Sequence, residues 1–306
     1  YHGSGVMTAS LTGLPGMHTL FDLPMGPVLH VTCPHHYRKS PAGMSEREFS
    51  RYLAQELQEL IEREGPETVA AFFAEPVMGA GGLIPPPEGY FEAIVPVLRK
   101  YDVLLVVDEV ISGFGRLGTY WGSQRFKIEP DLLTSAKGVT SGYFPMSACF
   151  VAPKIWQVIA AESNRAGLFG HGYTYSAHPV GAAAALATLK IIDEESVVAN
   201  VAKLGPVLQQ EMRSAVADHP WVGEVRGAGF MLGIELVQDK VSGTPFPKEQ
   251  LVGRRLLRKL FSRGLISRAL GDTLVFAPPL VLKRAELDEI VTKFRSGLDD
   301  LMREGV

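Results

Sequence analysis

The chain has 306 residues, of which 46% are hydrophobic and 21% charged, a composition typical of a globular protein with room for one large and one smaller domain. Its 30 basic and 33 acidic residues leave a formal charge of -3, which favours small-molecule chemistry over binding to nucleic acid or an anionic membrane. No apolar run reaches the roughly 20 residues of a membrane span, and no targeting segment is recognisable. Two cysteines, Cys33 and Cys149, suit a reducing compartment, so we expect a cytoplasmic protein.

Apolar segments alternate with segments of helical period in the first part of the chain. A first crossover helix is predicted between a capping box at Ser45 and the stop at Gly65, and a second between residues 88 and 101. Three apolar, β-branched runs are predicted to form buried parallel strands, at residues 69–77, 103–110 and 147–152. This alternation predicts an α/β domain with a mainly parallel sheet and helices on both faces, whose active site lies at the carboxyl ends of the strands.

A long helix rich in small residues is predicted from about residue 176 to 192, and the pattern changes after it. The elements that follow are a glycine-punctuated segment at 225–230, a helix at 250–262, a strand at 273–276, and a final helix with an apolar face from 287 to 301. They predict a smaller α+β unit. We therefore expect a large domain over residues 1–195 and a C-terminal small domain over residues 196–306.

Two carboxylates, Asp108 and Glu109, follow directly after the apolar run of residues 103–107. A carboxylate at the end of a buried strand needs a partner. Three interpretations of Asp108 are open at this point: a Mg²⁺ ligand of a P-loop NTPase, a structural cap, or the acid that pairs with the protonated pyridine nitrogen of pyridoxal phosphate. No G-x-x-x-x-G-K-S/T motif occurs, so the first interpretation lacks its phosphate loop.

Residues 130–138 predict another strand, which ends at Lys137 among small residues. An ordinary surface lysine is the alternative, but pyridoxal chemistry needs an amine for imine formation and an acid at the ring nitrogen, and consecutive strands could supply both. Residues 170–179 precede the small-residue helix and offer amide and hydroxyl donors for a phosphate. The same residue types are also ordinary helix caps.

Segments spread over nearly the whole chain resemble class III ω-transaminases, the (S)-amine or ω-amino-acid:pyruvate branch. The segments are YHGS, AEPVMGAGG, LLVVDEVISGFGRLG, PDLLTSAKG, GHGYTYSAHPVGAAAA, VRGAGFMLGIEL and ISRALGDTLVFAPPL. The resemblance implies a fold type I pyridoxal 5′-phosphate transferase. It also implies a homodimer with active sites shared between subunits, and small-molecule amine and α-keto acid substrates.

Roles follow from the resemblance position by position. Lys137 would be the catalytic lysine that forms the Schiff base, and Asp108 would hold the pyridinium proton. Tyr1 would stack on the cofactor and border the substrate. Three further residues would line the same pocket: His2, Gly3 and Val110.

The resemblance also assigns residues farther from the ring. Thr174, with Tyr173 beside it, would reach across the dimer to the phosphate of the neighbouring active site. Glu75 would support the cofactor pocket, although a structural glutamate is an equal alternative. Arg268 matches the arginine that swings in to bind a substrate carboxylate, a role that suits a bidentate guanidinium; on the residues alone, a solvated surface arginine is the alternative.

Two departures from the family pattern bear on function. Ornithine- and GABA-type relatives carry an acidic residue after Glu75 that pairs with the active-site arginine, whereas this chain has Ala80, which favours pyruvate as amino acceptor. The family also has an N-terminal portion before the segment that begins at Tyr1, with a Gly-Ser pair for the phosphate and aromatic residues of the substrate pocket. The present sequence does not contain it, so a non-catalytic truncated relative stays an alternative. Within the family, a taurine- or β-alanine-type transaminase and an aminomutase also stay open.

The Cys33-Pro34-His35-His36 segment could suggest a metal site. Adjacent histidines cannot easily face one ion, and no second cluster completes the four ligands of a typical zinc site. No metal is therefore predicted.

Overall fold

Two four-stranded sheets organise the computed structural model, which describes residues 2–305. The first sheet has its strands in chain order: β1 (Ala71–Ala74), β2 (Leu104–Asp108), β3 (Leu132–Ser135) and β4 (Ala148–Val151). β1 pairs with β2 and β2 with β3 in parallel, but β3 pairs with β4 antiparallel. The predicted strand at 147–152 therefore exists, and its predicted parallel direction is wrong. A parallel return needs a crossover, usually a helix, and the link of residues 136–147 holds only a short 3-10 turn.

The predicted crossover helices cover this sheet. They are α3 (Glu46–Glu64) and α4 (Tyr90–Lys100), which follow two short helices, α1 (Val6–Leu11) and α2 (His36–Lys39). α3 begins where predicted because Ser45 Oγ accepts from Glu48 N while the Glu48 carboxylate accepts from Ser45 N. It ends before Gly65, whose φ of 91° is costly for other residues. The apolar faces of both helices pack on β2 to form one core.

Three more helices complete this part of the chain: α5 (Gly122–Arg125), α6 (Pro153–Ala166) and α7 (Pro179–Glu194). α7 is the predicted small-residue helix, and it starts a few residues later than predicted because Pro179 occupies its first turn and the His178 side chain caps it. Only β2 of the first sheet is largely buried. The edge strands carry the half-exposed Phe73 and Phe150, so the prediction that every strand is buried was wrong for β1 and β4.

The second sheet is antiparallel throughout. Its order is β5 (Val222–Ala228), β6 (Met231–Leu236), β8 (Thr273–Phe276) and β7 (Arg268–Leu270). Three helices pack on it: α8 (Val197–Ala215), α9 (Val252–Ser262) and α10 (Arg284–Glu304). The glycine-punctuated segment turns at Gly229, where φ is +54° and a side chain would collide with the backbone of Leu117.

The predicted fold class is confirmed: an α/β unit with a mainly parallel sheet is followed by a smaller α+β unit. The boundary between residues 195 and 196 stays a prediction, although it falls between α7 and α8. None of the described helices combines the length and the hydropathy needed to cross a membrane.

Candidate active site

Asp108 is the last residue of β2, and both of its carboxylate oxygens have partners. Oδ1 accepts a hydrogen bond from Val110 N at 2.9 Å, and Oδ2 lies 2.5 Å from His2 Nδ1. The side chains of Asp108 and His2 are mostly buried. The partner that a carboxylate needs at the end of a buried strand is therefore a histidine 106 residues away in the chain.

The His2 ring also contacts Lys137, through its second nitrogen. Its Nε2 lies 2.9 Å from Lys137 Nζ. With an ionised carboxylate and a neutral imidazole, Nδ1 would carry the hydrogen towards Asp108 and Nε2 would accept from the lysine. The imidazole thus joins the carboxylate at the end of β2 to the amine that follows β3.

Lys137 opens the short 3-10 turn after β3 instead of lying in the strand itself. Its backbone φ is +40°, in the left-handed region that residues other than glycine rarely adopt. Residues held in such conformations cluster at functional sites, where the surrounding structure maintains them. The register of β2 and β3 pairs Asp108 with Thr134, so the turn begins close to the end of β2.

The surroundings of Lys137 make its amine easier to deprotonate than that of an ordinary lysine. Partial burial lowers its pKa from the ordinary lysine value, and the carboxylates of Asp108 and Glu75 oppose that change. A lysine with a lowered pKa is a better base and nucleophile near neutral pH.

Glu75 directly follows β1. The pKa of its carboxyl group is raised mainly by burial, and the charge of Asp108 raises it further. A hydrogen bond from Gly79 N to Oε2 at 2.8 Å lowers this pKa in part. β1 and β2 pair Ala74 with Val107, so Glu75 and Asp108 leave the sheet at the same level. Three neighbouring strands therefore deliver Glu75, Asp108 and Lys137 to one edge.

The second carboxylate of the pair, Glu109, has a structural role that the sequence did not reveal. Its side chain is fully buried and accepts hydrogen bonds from Gly122 N, Ser123 N and Ser112 Oγ at 2.6–2.8 Å. These contacts hold the start of α5 against the residue that follows Asp108. The bridging position of His2 was likewise missed, because nothing in the spacing links residues so far apart in sequence.

The remaining predicted pocket residues differ in how they are placed. Val110 is buried beside Asp108, to whose carboxylate its amide donates. Gly3 follows His2 where the chain packs tightly, since a Cβ on it would lie 2.5 Å from Thr8 Oγ1. Tyr1 lies outside the described residues.

Three predicted residues lie apart from this group. Tyr173 and Thr174 are exposed on the loop before α7. Arg268 is exposed at the start of β7 in the second sheet, and its guanidinium forms no hydrogen bond or ion pair with any residue between 2 and 305.

The Cys33 to His36 segment spreads its side chains in different directions. Cys33 Sγ contacts Met78 Sδ at 3.7 Å, and His36 Nε2 faces Met44 O at 2.8 Å. His35 faces a glutamate of β5 instead.

The donor set at the edge of the first sheet suits pyridoxal phosphate. The group needs an amine for covalent attachment and an acid for its ring nitrogen, and Lys137 and Asp108 offer these on adjacent strands with His2 between them. The exposed loop before α7 offers Thr174 as a hydroxyl donor for a phosphate.

Comparison with known proteins agrees with this chemistry. The family model described as Aminotransferase class-III matches residues 1–298. A gamma aminobutyrate transaminase of Solanum lycopersicum is 47% identical over 98% of this chain and 58% of its own length. A diaminobutyrate–2-oxoglutarate transaminase of Halomonas elongata is 48% identical over 100% of this chain and 67% of its own length.

A solved omega transaminase from Pseudomonas jessenii in complex with PMP is 48% identical, with a TM-score of 0.96 over 99% of this chain and 67% of that one. The chain thus spans between 58% and 67% of the length of these proteins. It belongs to the class III aminotransferases, a family of enzymes that depend on pyridoxal 5′-phosphate.

Proposed function

We propose that the protein moves an amino group from an amine or ω-amino acid to an α-keto acid, preferably pyruvate, in a ping-pong reaction. The observation that carries the proposal is the hydrogen-bonded series Lys137, His2 and Asp108 at the carboxyl ends of two parallel strands. It puts a nucleophilic amine and a carboxylate at the place where ligands bind to such sheets.

When bound, pyridoxal phosphate supplies an aldehyde that takes up the amino group and a ring that withdraws electrons from the substrate carbon. We assign to Lys137 Nζ both the attachment of the cofactor and the transfer of the proton on the substrate carbon, for which its lowered pKa prepares it. Asp108 would hold the proton of the ring nitrogen. His2, through its 2.5 Å contact, would hold the carboxylate in place.

The pocket walls and the phosphate site complete the proposed arrangement. Val110, Gly3 and Tyr1 would enclose the ring, and Glu75 would support the pocket. Tyr173 is 80% exposed and the neighbouring Thr174 is also exposed, as expected for residues that serve the active site of a second subunit in a homodimer. A cytoplasmic location stays a prediction, in line with the two free cysteines Cys33 and Cys149.

Acceptor choice turns on Arg268 and Ala80. Because Arg268 has no partner among residues 2–305, its guanidinium is available to a substrate carboxylate. Ala80 offers no charge that would neutralise the Arg268 guanidinium. Because ornithine- and GABA-type relatives carry an acidic residue there, its absence favours pyruvate as the acceptor. A second candidate acceptor is 2-oxoglutarate, which the name of the Halomonas elongata relative includes.

The test is a comparison of initial rates with pyruvate and with 2-oxoglutarate, using an arylalkyl amine and an ω-amino acid as donors. We expect pyruvate to give the higher kcat/KM with both donors. Equal or faster transfer to 2-oxoglutarate would replace the pyruvate assignment by the second candidate, and no transfer to any keto acid would refute the proposed activity.

Ala80→Glu sharpens the same test. By the family pattern, in which an acidic residue after Glu75 pairs with the active-site arginine, a carboxylate at this position would pair with Arg268 and weaken carboxylate binding. KM for pyruvate should then rise roughly tenfold, the cost of one charge-assisted hydrogen bond. An Ala80→Gln variant, of similar size but without charge, should leave KM closer to that of the parent protein.

A further inference from the structure

A buried cluster of charged side chains lies where the second sheet meets the first. Arg226 of β5 is 5% exposed, and its Nη1 lies 2.7 Å from Glu224 Oε2 and 2.5 Å from Glu235 Oε2. On the far side, His35 Nε2 approaches Glu224 at 3.1 Å and Arg38 Nε approaches Glu235 at 2.5 Å. Glu224 therefore has two partners, Arg226 and His35, and Glu235 has Arg226, Arg38 and, at 3.8 Å, His35. Arg226 Nη1 lies within 2.7 Å of both carboxylates.

The cluster contains metal-ligating residue types. His35, Glu224 and Glu235 bring potential ligand atoms within 4.8 Å of one another. A metal ion there would need the same carboxylate oxygens that Arg226 Nη1 already contacts. The Arg226 guanidinium thus occupies the position that a metal ion would take. The role of the cluster therefore depends on the other contacts of this guanidinium.

Arg226 turns its other N–H groups towards the first sheet. Nε and Nη2 both donate to the backbone oxygen of Gly82, at 3.0 and 2.8 Å. Gly233 of β6 closes the opposite side, because a Cβ on it would lie only 3.0 Å from the same oxygen. A buried ion cluster is weak evidence for stability, since desolvation offsets the attraction between charges. A rigid fork that spans two carboxylates and one carbonyl is instead well suited to fixing a position.

The turn that contains Gly82 leads back to Glu75. Met78 and Ile84 exchange two backbone hydrogen bonds of 2.9 Å, and Gly82 N donates to Gly79 O at 3.1 Å. Gly79 N donates in turn to Glu75 Oε2 at 2.8 Å. The contact with Arg226 is thus connected to the Glu75 carboxylate by one small, internally bonded turn.

We propose that Arg226 is a positioning residue of the cofactor pocket. It fixes the turn of residues 78–84 through Gly82 O, and the Gly79 amide of that turn fixes the Glu75 carboxylate beside Asp108. The inference rests on the proposed function, because Asp108 is the residue assigned to the cofactor ring. Arg226 acts only through the backbone of this turn.

The direct test is amide hydrogen exchange of residues 78–84 in the protein without cofactor. Arg226→Met should speed exchange in this segment roughly tenfold or more, because two hydrogen bonds from a charged donor are lost. The control is Arg213→Met, which removes an exposed guanidinium that donates to Val225 O at 3.2 Å. Exchange in the segment should be the same in this control as in the parent protein.

Gly233→Ala tests the same contact without changing any charge. Its new methyl group would press on Gly82 O, so it should also speed exchange in the segment. Arg226→Met removes a partner from the carboxylates of Glu224 and Glu235, and the variant can fail to fold for that reason. In that case Gly233→Ala tests whether the contact with Gly82 O fixes the turn. Unchanged exchange in the folded variants would overturn the proposal.

A double-mutant cycle connects the turn to the pocket. Arg226→Met should weaken pyridoxal phosphate binding severalfold in the parent protein and have little further effect when Glu75 is already Gln, because both changes act on the same carboxylate. Strictly additive effects would overturn the positioning role. If the loaded protein transfers no amino group while the exchange and coupling results are as expected, the proposed function fails and the role of Arg226 stands.

Discussion

The two sheets differ in how completely they are covered, and the residues to which we assign the chemistry lie at the more open one. All six residues of β6 are buried, and the core around the second sheet includes Phe230, Leu256 and Phe294 at zero exposure. The first sheet leaves Phe73 and Phe150 about half exposed on its edge strands. Lys137 and Asp108 stand at the carboxyl ends of strands in this first, more open sheet.

This difference separates two kinds of residue. In the second sheet a side chain contributes mainly by filling volume in the core, so its removal should lower the free energy of unfolding. At the end of the first sheet, the side chains assigned to the chemistry contribute through their charges and hydrogen bonds, so their loss should lower the rate. Arg226 is an exception, because it belongs to the second sheet and binds a turn of the first.

The largest effect is expected from Lys137→Ala. Removing the amine should lower the transamination rate by roughly 10³-fold or more, because both attachment of the cofactor and proton transfer need it. The melting temperature should change little, since the Lys137 side chain is only partly buried and belongs to none of the apolar cores. Lys190→Ala, which removes an exposed lysine of α7, is the control and should keep the parental rate. A near-normal rate in Lys137→Ala would contradict the assignment.

The adjacent pair Asp108 and Glu109 gives the sharpest comparison within one site. Asp108→Asn should lower kcat roughly 10²- to 10³-fold while the fold persists, because an amide cannot hold the proton of the ring nitrogen. Glu109→Gln should instead cost about 1–3 kcal/mol of stability, because one of its three buried donors would face an NH₂ group. Steady-state rates and urea unfolding separate the two outcomes, and equal effects on rate would undo the distinction.

In the second sheet, Leu256→Ala should lower the free energy of unfolding by about 3 kcal/mol, since it leaves a cavity in a fully buried core. The rate per folded molecule should stay close to the parental value. Val241→Ala, at a side chain that is 99% exposed, is the control, with a change within about 0.5 kcal/mol. A large loss of kcat in Leu256→Ala at full folding would mean that the second sheet takes part in the chemistry more directly.

The smallest effect concerns pH. Because burial lowers the pKa of Lys137, the rate at which the cofactor-free protein captures pyridoxal phosphate should rise with pH and level off below the ordinary lysine pKa. Glu75 opposes that lowering, so Glu75→Gln should move the rising limb to lower pH, by about one unit or less. A shift to higher pH would show that Glu75 acts on Lys137 in another way.

Local signals in the sequence predicted much of the fold. The limits of α3 follow from Ser45 and Gly65, whose capping and left-handed backbone need only near neighbours. The apolar run before Asp108 predicted β2, and the run before Lys137 predicted β3, although Lys137 itself lies in the turn after that strand. That the two strands are neighbours in the sheet came from the structure.

Long-range features could not be predicted in this way. The reversed direction of β4 depends on how the short link after Lys137 folds, and an apolar run reads alike in either direction. The burial of Glu109 under α5 and the contact of Arg226 with Gly82 join residues 13 and 144 positions apart. No periodicity connects such pairs.

The sequence by itself thus determined many of the elements and their order, although not α6 or α8, and the residue types that the proposed chemistry needs. Those depend on local backbone preferences and on the alternation of apolar and polar residues. Only the tertiary structure decided that His2 lies between Asp108 and Lys137, and that Arg226 reaches the turn beside Glu75. These contacts arise when distant segments pack against each other, and their geometry is set by the whole fold at once.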